Sequence, residues 1–194
     1  MFHVKQGDRL DLLHDLILRW NQRINLVGRA DIADLRRRHI EDSAQLLPLL
    51  PPGEGPAGDL GSGAGFPGLV LAILTTRPWH LVESDRRKAA FLATAAAELG
   101  LGHLRVHVTR IEDVVLPPLA VVTARALAPL PQLLVYAQRL LAPEGVAIFP
   151  KGRTAQDELT AARADWHMAV DAFPSRTSGT STILRISGIR RAGP

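Results

Sequence analysis

The sequence of 194 residues contains no cysteine, and only 5% of its residues are aromatic. Without cysteine, neither a disulfide framework nor a cysteine-based zinc site can form, and this composition suits a reducing cytosol. No apolar run approaches the roughly 20 residues that a membrane-spanning helix needs, and residues 1–5 do not open a signal-peptide pattern. We therefore expect a cytoplasmic protein that contacts no membrane.

Residue patterns for metal binding or nucleophilic catalysis are also missing. The seven histidines are scattered along the chain. His103 and His107 are four positions apart but fall in a predicted strand, where they lie on the same face yet too far apart to share a metal ion. No Ser-His-Asp set is recognisable, so we expect no metal and no covalent catalysis.

The chain carries a formal net charge of +4, and its basic residues are clustered. The clusters are Arg36 to His39, Arg86 to Lys88, and Arg190 with Arg191. Such clusters attract polyanions, and neutralisation of phosphates dominates affinity for nucleic acids. A solvated, arginine-rich surface is the alternative, since lysine occurs only at positions 5, 88 and 151. Charge alone leaves both interpretations open.

Hydrophobic periodicity predicts two N-terminal helices followed by alternating strands and helices. Helices are predicted at residues 5–23, 31–47 (with Asp31 as its cap), 67–76, 86–99, 129–142 and 154–165. Strands are predicted at residues 57–61, 79–83, 104–108, 119–124, 145–150, 166–172 and 181–187. This alternation indicates a seven-stranded, mostly parallel sheet with helices on both faces. Because prolines and glycines fill residues 48–58, we expect a helical extension at 1–50 that packs on an α/β domain at 51–194.

The most informative segment is Asp59 to Gly68, which reads Asp-Leu-Gly-Ser-Gly-Ala-Gly-Phe-Pro-Gly. Glycine takes positive φ angles without steric cost and lets the main chain approach a ligand closely. Pro67 fits the first turn of a helix, where its missing N–H costs nothing. The segment therefore predicts a strand, a tight turn and a helix N-terminus that holds a nucleotide-like ligand. A plain glycine-rich loop is the alternative.

The spacing of Gly61, Gly63 and Gly65 separates two classes of cofactor. The dinucleotide fingerprint needs a small third residue for close helix packing, and Phe66 occupies that place. The spacing instead resembles the first motif of S-adenosylmethionine-dependent methyltransferases. Glu83 follows the next predicted strand, at the distance from the loop where an acid accepts hydrogen bonds from ribose hydroxyls. Asp85 is the rival acid, but we expect it to cap the next helix.

Three further predicted strands end in residues suited to a ligand site, because ligands of parallel sheets bind beyond the carboxyl ends of the strands. The strand at 104–108 is followed by residues 109–113, whose backbone can reach an adenine edge. Arg125 and Lys151 follow the strands at 119–124 and 145–150. Two cations at one crevice suit an anionic substrate, and ordinary surface charge is the alternative.

Five motifs in this order resemble one known family. They are Asn25-Leu26-Val27, Arg38-His39-Ile40-Glu41-Asp42-Ser43, Gly65-Phe66-Pro67-Gly68, Arg125-Ala126 and Lys151-Gly152. Together they resemble the bacterial 16S ribosomal RNA guanine-N7 methyltransferases, also called glucose-inhibited division protein B, over roughly residues 20–187. The resemblance implies a Rossmann-like class I fold, S-adenosylmethionine as cofactor, and 16S rRNA or the small ribosomal subunit as partner.

The resemblance also implies site residues. Cofactor contacts are expected at Gly61, Gly63, Gly65, Phe66, Ile111, Glu112 and Arg125, with Glu83 on the ribose. Arg125 and Lys151 are the candidate catalytic residues, and we expect a monomer. Guanine N7 has a lone pair and no proton, so methyl transfer to it needs no general base, and orientation of the reactants contributes several kcal/mol.

The sequence departs from the family pattern at three places. The first strand of the α/β domain is poor in β-forming residues, position 83 is Glu rather than Asp, and the N-terminal region is short. Two other functions stay open at this point: a methyltransferase acting on a different substrate, since a fold does not fix function, and a non-catalytic RNA-binding protein.

Overall fold

A computed structural model describes residues 6–193 and contains one seven-stranded sheet. The strands are β1 (Ala57–Leu60), β2 (Trp79–Val82), β3 (Leu104–His107), β4 (Leu119–Ala124), β5 (Leu141–Lys151), β6 (Trp166–Pro174) and β7 (Thr182–Arg191). Their order in the sheet is β3-β2-β1-β4-β5-β7-β6. Strands β1 to β5 pair in parallel, and β7 runs antiparallel to both of its neighbours.

Helices cover both faces of this sheet. The α-helices are α1 (Gln6–Asn21), α2 (Arg29–Ile32), α3 (Asp42–Ala44), α4 (Gly68–Leu74), α5 (Arg86–Glu98), α6 (Leu130–Leu140) and α7 (Ala155–Ala162). A π-helical turn spans Arg36–Glu41, and short 3₁₀ turns span Leu47–Leu49 and Ile111–Asp113. None of the helices in residues 6–193 is long and apolar enough to cross a bilayer. The predicted arrangement of a mostly parallel sheet between helical layers is confirmed.

Two hydrophobic clusters hold the helices to the sheet. One joins the first helix of the chain, through buried Leu13 and Ile17, to α4 and α5 and contains the fully buried rings of Trp79 and Phe91. The other lies under α6 and α7, with Phe149 of β5 at full burial. Burial of apolar surface on this scale is the main favourable contribution to folding.

The N-terminal region corrects one sequence-based prediction. A single helix over 31–47 capped by Asp31 is wrong, because the segment breaks into α2, the π-helical turn, α3 and a 3₁₀ turn. Gly28 has the extended conformation of the cap, and the N–H of Asp31 donates to the Gly28 carbonyl. Asp31 therefore lies inside the first turn, from where its carboxylate reaches Arg38.

Other boundaries agree with the sequence more closely. Asp85 caps α5 by accepting hydrogen bonds from the backbone N–H groups of Arg87 and Lys88, at 2.8 and 3.1 Å. Gly100 follows that helix with φ +66°, the left-handed conformation typical of helix C-termini. Strand β1 has only four residues, as its composition led us to expect, and β5 begins earlier than predicted, directly after α6.

Candidate active site

The candidate site lies where the order of the strands reverses. From β1 the chain moves outward to β2 and β3, then returns to place β4 on the other side of β1. In parallel sheets this topological switch opens a crevice at the carboxyl ends of the strands. The glycine loop 61–65 follows β1 on one side of the crevice, and Arg125 follows β4 on the other.

The glycine loop has the backbone conformation that the sequence predicts. Gly61, Gly63 and Gly65 have φ angles of +62°, +56° and +88°, a region that L-amino acids with a Cβ rarely adopt. A Cβ on Gly61 would come within 2.6 Å of the Leu127 side chain, and one on Gly65 would overlap Leu69. A Cβ on Gly63 would meet nothing closer than the Gly61 carbonyl at 3.8 Å among the described residues. Gly63 is therefore the glycine that faces open space.

Glu83 supports this loop from the neighbouring strand. One of its carboxylate oxygens, Oε2, accepts a hydrogen bond from Gly63 N–H at 2.8 Å, and Oε1 accepts one from Asp85 N–H at 2.8 Å. Only 8% of the residue is exposed. Each oxygen keeps acceptor capacity beyond its one backbone donor, so the carboxylate is oriented and can accept further hydrogen bonds. Its contact with a ribose stays a prediction.

Asp59 anchors the start of the glycine loop, a role that the sequence did not indicate. It is fully buried at the end of β1, where it accepts hydrogen bonds from the Thr123 hydroxyl at 2.7 Å and from Gly68 N–H at 3.3 Å. Burial raises its pKa to about 6, and hydrogen bonds from Thr123 and its other neighbours oppose that shift. Asp59 thus ties the start of the loop to β4 and to the beginning of α4.

Ile111 and Glu112 lie in the 3₁₀ turn that follows β3. The Glu112 carboxylate accepts a hydrogen bond from the Tyr136 hydroxyl of α6, which lowers the pKa of Glu112. The Arg139 guanidinium donates to the Ile111 carbonyl. The Glu112 side chain and the Ile111 carbonyl are therefore both engaged with α6, and a contact of this turn with the cofactor stays a prediction.

Arg125 is at the centre of a side-chain cluster, here called the Arg125 cluster, which consists of Arg125, Asp42, His39 and Phe66. The guanidinium lies 3.2 Å from the Asp42 carboxylate, 2.6 Å from His39 Nδ1 and 5.1 Å from the centroid of the Phe66 ring. Its side chain is only 18% exposed. Burial lowers the pKa of Arg125, and the charge of Asp42 counteracts that effect, so the pair is a partly buried ion pair.

His39 is stacked on Phe66, with ring centroids 5.0 Å apart and an angle of 20° between the planes. Burial and the positive charge of Arg125 lower the pKa of His39 to about 4, so the ring is neutral at pH 7. Because Nδ1 accepts from Arg125, the proton of the neutral ring must reside on Nε2. Within residues 6–193, that buried Nε2 has no hydrogen-bond partner.

The second candidate cation, Lys151, is not free. Its Nζ lies 2.6 Å from the Glu158 carboxylate and donates to the Ala128 carbonyl at 3.0 Å. Glu158 also accepts a hydrogen bond from Leu130 N–H at 2.7 Å. These contacts secure the loop between β4 and α6, in which Ala126 has a φ of +52°.

Arg125 and Lys151 nevertheless border one cleft, here called the first cleft, with a volume of about 230 Å³. Asp42 and Glu158 lie on its wall, and Ser175, Ser181 and Thr182 contribute hydroxyl groups. These hydroxyl residues, like Asp42 and His39, come from chain segments remote from β4. The Arg-His-Ile-Glu-Asp-Ser motif was the sequence signal for His39 and Asp42, whereas the hydroxyl residues had no such signal.

The sequence predicts that the scattered histidines form no metal site. In residues 6–193 no group of three or more His, Asp or Glu side chains is placed to hold a metal ion. His103 contacts the Ala72 carbonyl, whereas His107 pairs with His80 through ring nitrogens 2.9 Å apart. His3 lies outside the described residues.

Comparison with known proteins now decides the family. The model of the family described as rRNA small subunit methyltransferase G matches residues 6–181. The chain belongs to this family. A ribosomal RNA small subunit methyltransferase G from Granulibacter bethesdensis is 55% identical over 185 residues, which cover 95% of this chain and 86% of the relative. The predicted family and the prediction of a methyltransferase are confirmed.

Solved structures support the fold of this rRNA methyltransferase family member. A ribosomal protein L11 methylase from Lactobacillus delbrueckii superposes with a TM-score of 0.63 at 16% identity, covering 77% of this chain and 78% of the other. A glycopeptide N-methyltransferase, MtfA, in complex with S-adenosylmethionine gives 0.64 at 10% identity, with 76% and 86% covered. The predicted class I methyltransferase fold is confirmed.

Proposed function

We propose that this protein transfers the methyl group of S-adenosylmethionine to N7 of one guanine in the 16S rRNA of the small ribosomal subunit. The observation that carries the proposal is the glycine loop with three positive φ angles, placed at the switch point of a chain that belongs to the rRNA small subunit methyltransferase G family. S-adenosylmethionine supplies an activated methyl group on a sulfonium. The protein supplies the alignment.

The cofactor side of the site comprises residues on β1, β2 and β3 and the loops after them. They are Gly61, Gly63, Gly65, Phe66, Glu83, Ile111 and Glu112. The open space at Gly63 fits a ligand that approaches the main chain, because any side chain there would occupy that space. We assign the hydrogen bonds from the ribose hydroxyls to the Glu83 carboxylate, and its orientation by two backbone N–H groups supports this assignment.

The substrate side is the first cleft. Arg125 stands at the boundary between this cleft and Phe66. Because its guanidinium is engaged with Asp42 and His39, we assign it to alignment of the guanine beside the methyl group in place of the cofactor contact that the family resemblance implies. Lys151 positions the loop after β4 through Ala128 and Glu158. Methylation of N7 leaves a cationic base, and the carboxylate of Asp42 on the cleft wall can stabilise that developing charge.

The remaining expectations complete the proposal. The protein acts as a monomer in the cytoplasm, where ribosomal subunits are found. We assign the helical segment before residue 51 to an extension that packs on the methyltransferase domain. Buried Leu13 and Ile17, which share a hydrophobic cluster with Phe91 of α5, support this packing.

The test is methyl transfer in vitro. The purified protein and S-adenosylmethionine with a labelled methyl group are incubated with small subunits that lack the modification, and the rRNA is mapped by mass spectrometry. We expect one 7-methylguanosine per subunit in 16S rRNA. Label in a ribosomal protein or in a different base would contradict the proposed substrate. Cofactor binding without any transfer would favour a non-catalytic RNA-binding protein.

A further inference from the structure

A second cleft adjoins the first one. It has a volume of about 300 Å³, and Asp42 and Ser181 border both clefts. Its other lining residues are Asp34, Arg37, Arg38, Thr177 and Ser178. The second cleft therefore combines two guanidinium groups and three hydroxyl groups with two carboxylates. The guanidinium and hydroxyl groups are donors of the kind that bind a phosphate group.

The two walls of this cleft come from distant parts of the chain and are fixed to one another. The arginines belong to the N-terminal segment, and the hydroxyls belong to the β6–β7 hairpin. The Thr177 hydroxyl donates to the Asp42 carboxylate, and the buried Gln45 contacts the Ser175 hydroxyl at 3.1 Å and Arg176 N–H at 2.8 Å. The cleft is thus a built feature of the fold.

Acidic side chains hold the two arginines in place. Arg38 pairs with Asp31, while Arg37 lies 4.0 Å from Asp34. The arginine side chains remain 61% exposed at Arg37 and 54% exposed at Arg38. Exposed ion pairs of this kind contribute little stability, so a phosphate can replace the carboxylates as partner of the guanidinium groups at small cost.

We propose that the second cleft binds a phosphodiester group of the rRNA strand, next to the nucleotide whose guanine enters the first cleft. This inference rests on the proposed function. Because the two clefts share Asp42 and Ser181 as a border, one RNA strand can place a base in the first cleft and its backbone in the second. Phosphate contacts fix the position of a strand without reading its sequence, so the second cleft sets the position of the guanine.

The test exchanges one ion pair for neutral groups while net charge stays constant. The double variant Asp34→Asn with Arg37→Gln removes the ion pair of Arg37 with Asp34 at the second cleft, whose charged atoms are 4.0 Å apart. The matched control, Glu98→Gln with Arg19→Gln, removes an exposed ion pair between α1 and α5 that lines neither cleft. Both variants are assayed for methylation of small subunits and for cofactor binding by calorimetry, at several salt concentrations.

We expect the Asp34/Arg37 variant to raise KM for small subunits by at least about 10-fold, as loss of one charge-assisted hydrogen bond implies, with unchanged kcat and cofactor affinity. Its salt slope should fall by about 0.7, the value for one phosphate contact on a single strand. The control should match the parent. Equal KM values in the two double variants, with the parent active, would overturn the inference alone. A parent that methylates no rRNA would instead refute the proposed function.

Discussion

The two sides of the candidate site are built in opposite ways. The loop after β1 is held largely by contacts between close neighbours along the chain: the Ser62 hydroxyl donates to the Asp59 carbonyl three positions away, and Gly68 N–H donates to the Asp59 carboxylate nine positions away. The adjacent strands add the contacts of Glu83 with Gly63 and of Thr123 with Asp59. The Arg125 cluster is held by long-range contacts. Arg125 and Asp42 are 83 positions apart, and Thr177 and Asp42 are 135 apart.

This difference has a consequence for function. A loop whose contacts are local can keep its shape as long as β1, β2 and β4 are paired. The Arg125 cluster exists only when the N-terminal segment and the β6–β7 hairpin are docked on the sheet, because Asp42 contacts both Arg125 and Thr177. We therefore expect changes at Arg125, Asp42 and His39 to impair the substrate step and changes in the glycine loop to impair cofactor binding.

The largest effect is expected at the loop, with a matched pair of glycines. In Gly63→Val the new side chain occupies the open space that we assign to the cofactor, and backbone strain costs about 1–3 kcal/mol. Calorimetry should find S-adenosylmethionine binding weakened by at least about 100-fold, or about 2.7 kcal/mol, in a protein that still folds. Gly65→Val adds an overlap with Leu69 and should lower the thermal midpoint much further. A Gly63→Val protein with parental affinity would show that the loop is not the cofactor site.

The smallest expected effect is a difference between the two regions in how the free energy of unfolding depends on pH. The pKa of His39, in the cluster, is lowered from 6.5 to about 4. His39 is therefore protonated near pH 6.5 in the unfolded chain but only near pH 4 in the folded protein. Because the unfolded state binds more protons between these values, this group lowers the free energy of unfolding as the pH falls from 6.5 to 4. The pKa of Asp59, in the loop, is raised from 3.8 to about 6, and its contribution has the opposite sign between pH 6 and 4.

Urea unfolding from pH 7.5 to 4.5 measures this contribution. His39→Gln keeps an acceptor for Arg125 but cannot titrate, so it should lose less stability than the parent as the medium is acidified. The difference between the two proteins should develop below about pH 6.5. Curves that stay parallel over the whole range would mean that His39 titrates alike in the folded and unfolded states.

What the sequence could predict follows the same division. The three glycines, Glu83 and the cap at Asp85 were recognisable because each depends on neighbours along the chain or on the end of a strand. The Arg125 cluster was accessible only in part, through the motif around His39 and Asp42, since the partners of Arg125 depend on tertiary docking. The ion pair of Lys151 with Glu158 was not predicted either, because the sequence at the end of a strand does not show which helix packs beside it.

The failed helix over 31–47 has a related cause. The apolar periodicity of this segment reflects burial, since Leu35 and Ile40 are both buried. It could not show that the π-helical turn Arg36–Glu41 interrupts the helix. That turn carries His39 into contact with Phe66, so the departure from regular helix coincides with the Arg125 cluster. Functional sites are a common place for π-helical turns.

The most direct test of this division measures cofactor affinity and methyl transfer on the same sample of Arg125→Lys. Lysine keeps the charge but lacks the planar fork that reaches both Asp42 and His39. We expect methylation of small subunits to fall by at least about 10-fold, equivalent to about 1.4 kcal/mol, while the Kd for S-adenosylmethionine changes by less than about 3-fold. Loss of cofactor binding in parallel with activity would contradict the separation of the two sides, and parental methylation would show that Arg125 contributes only its charge.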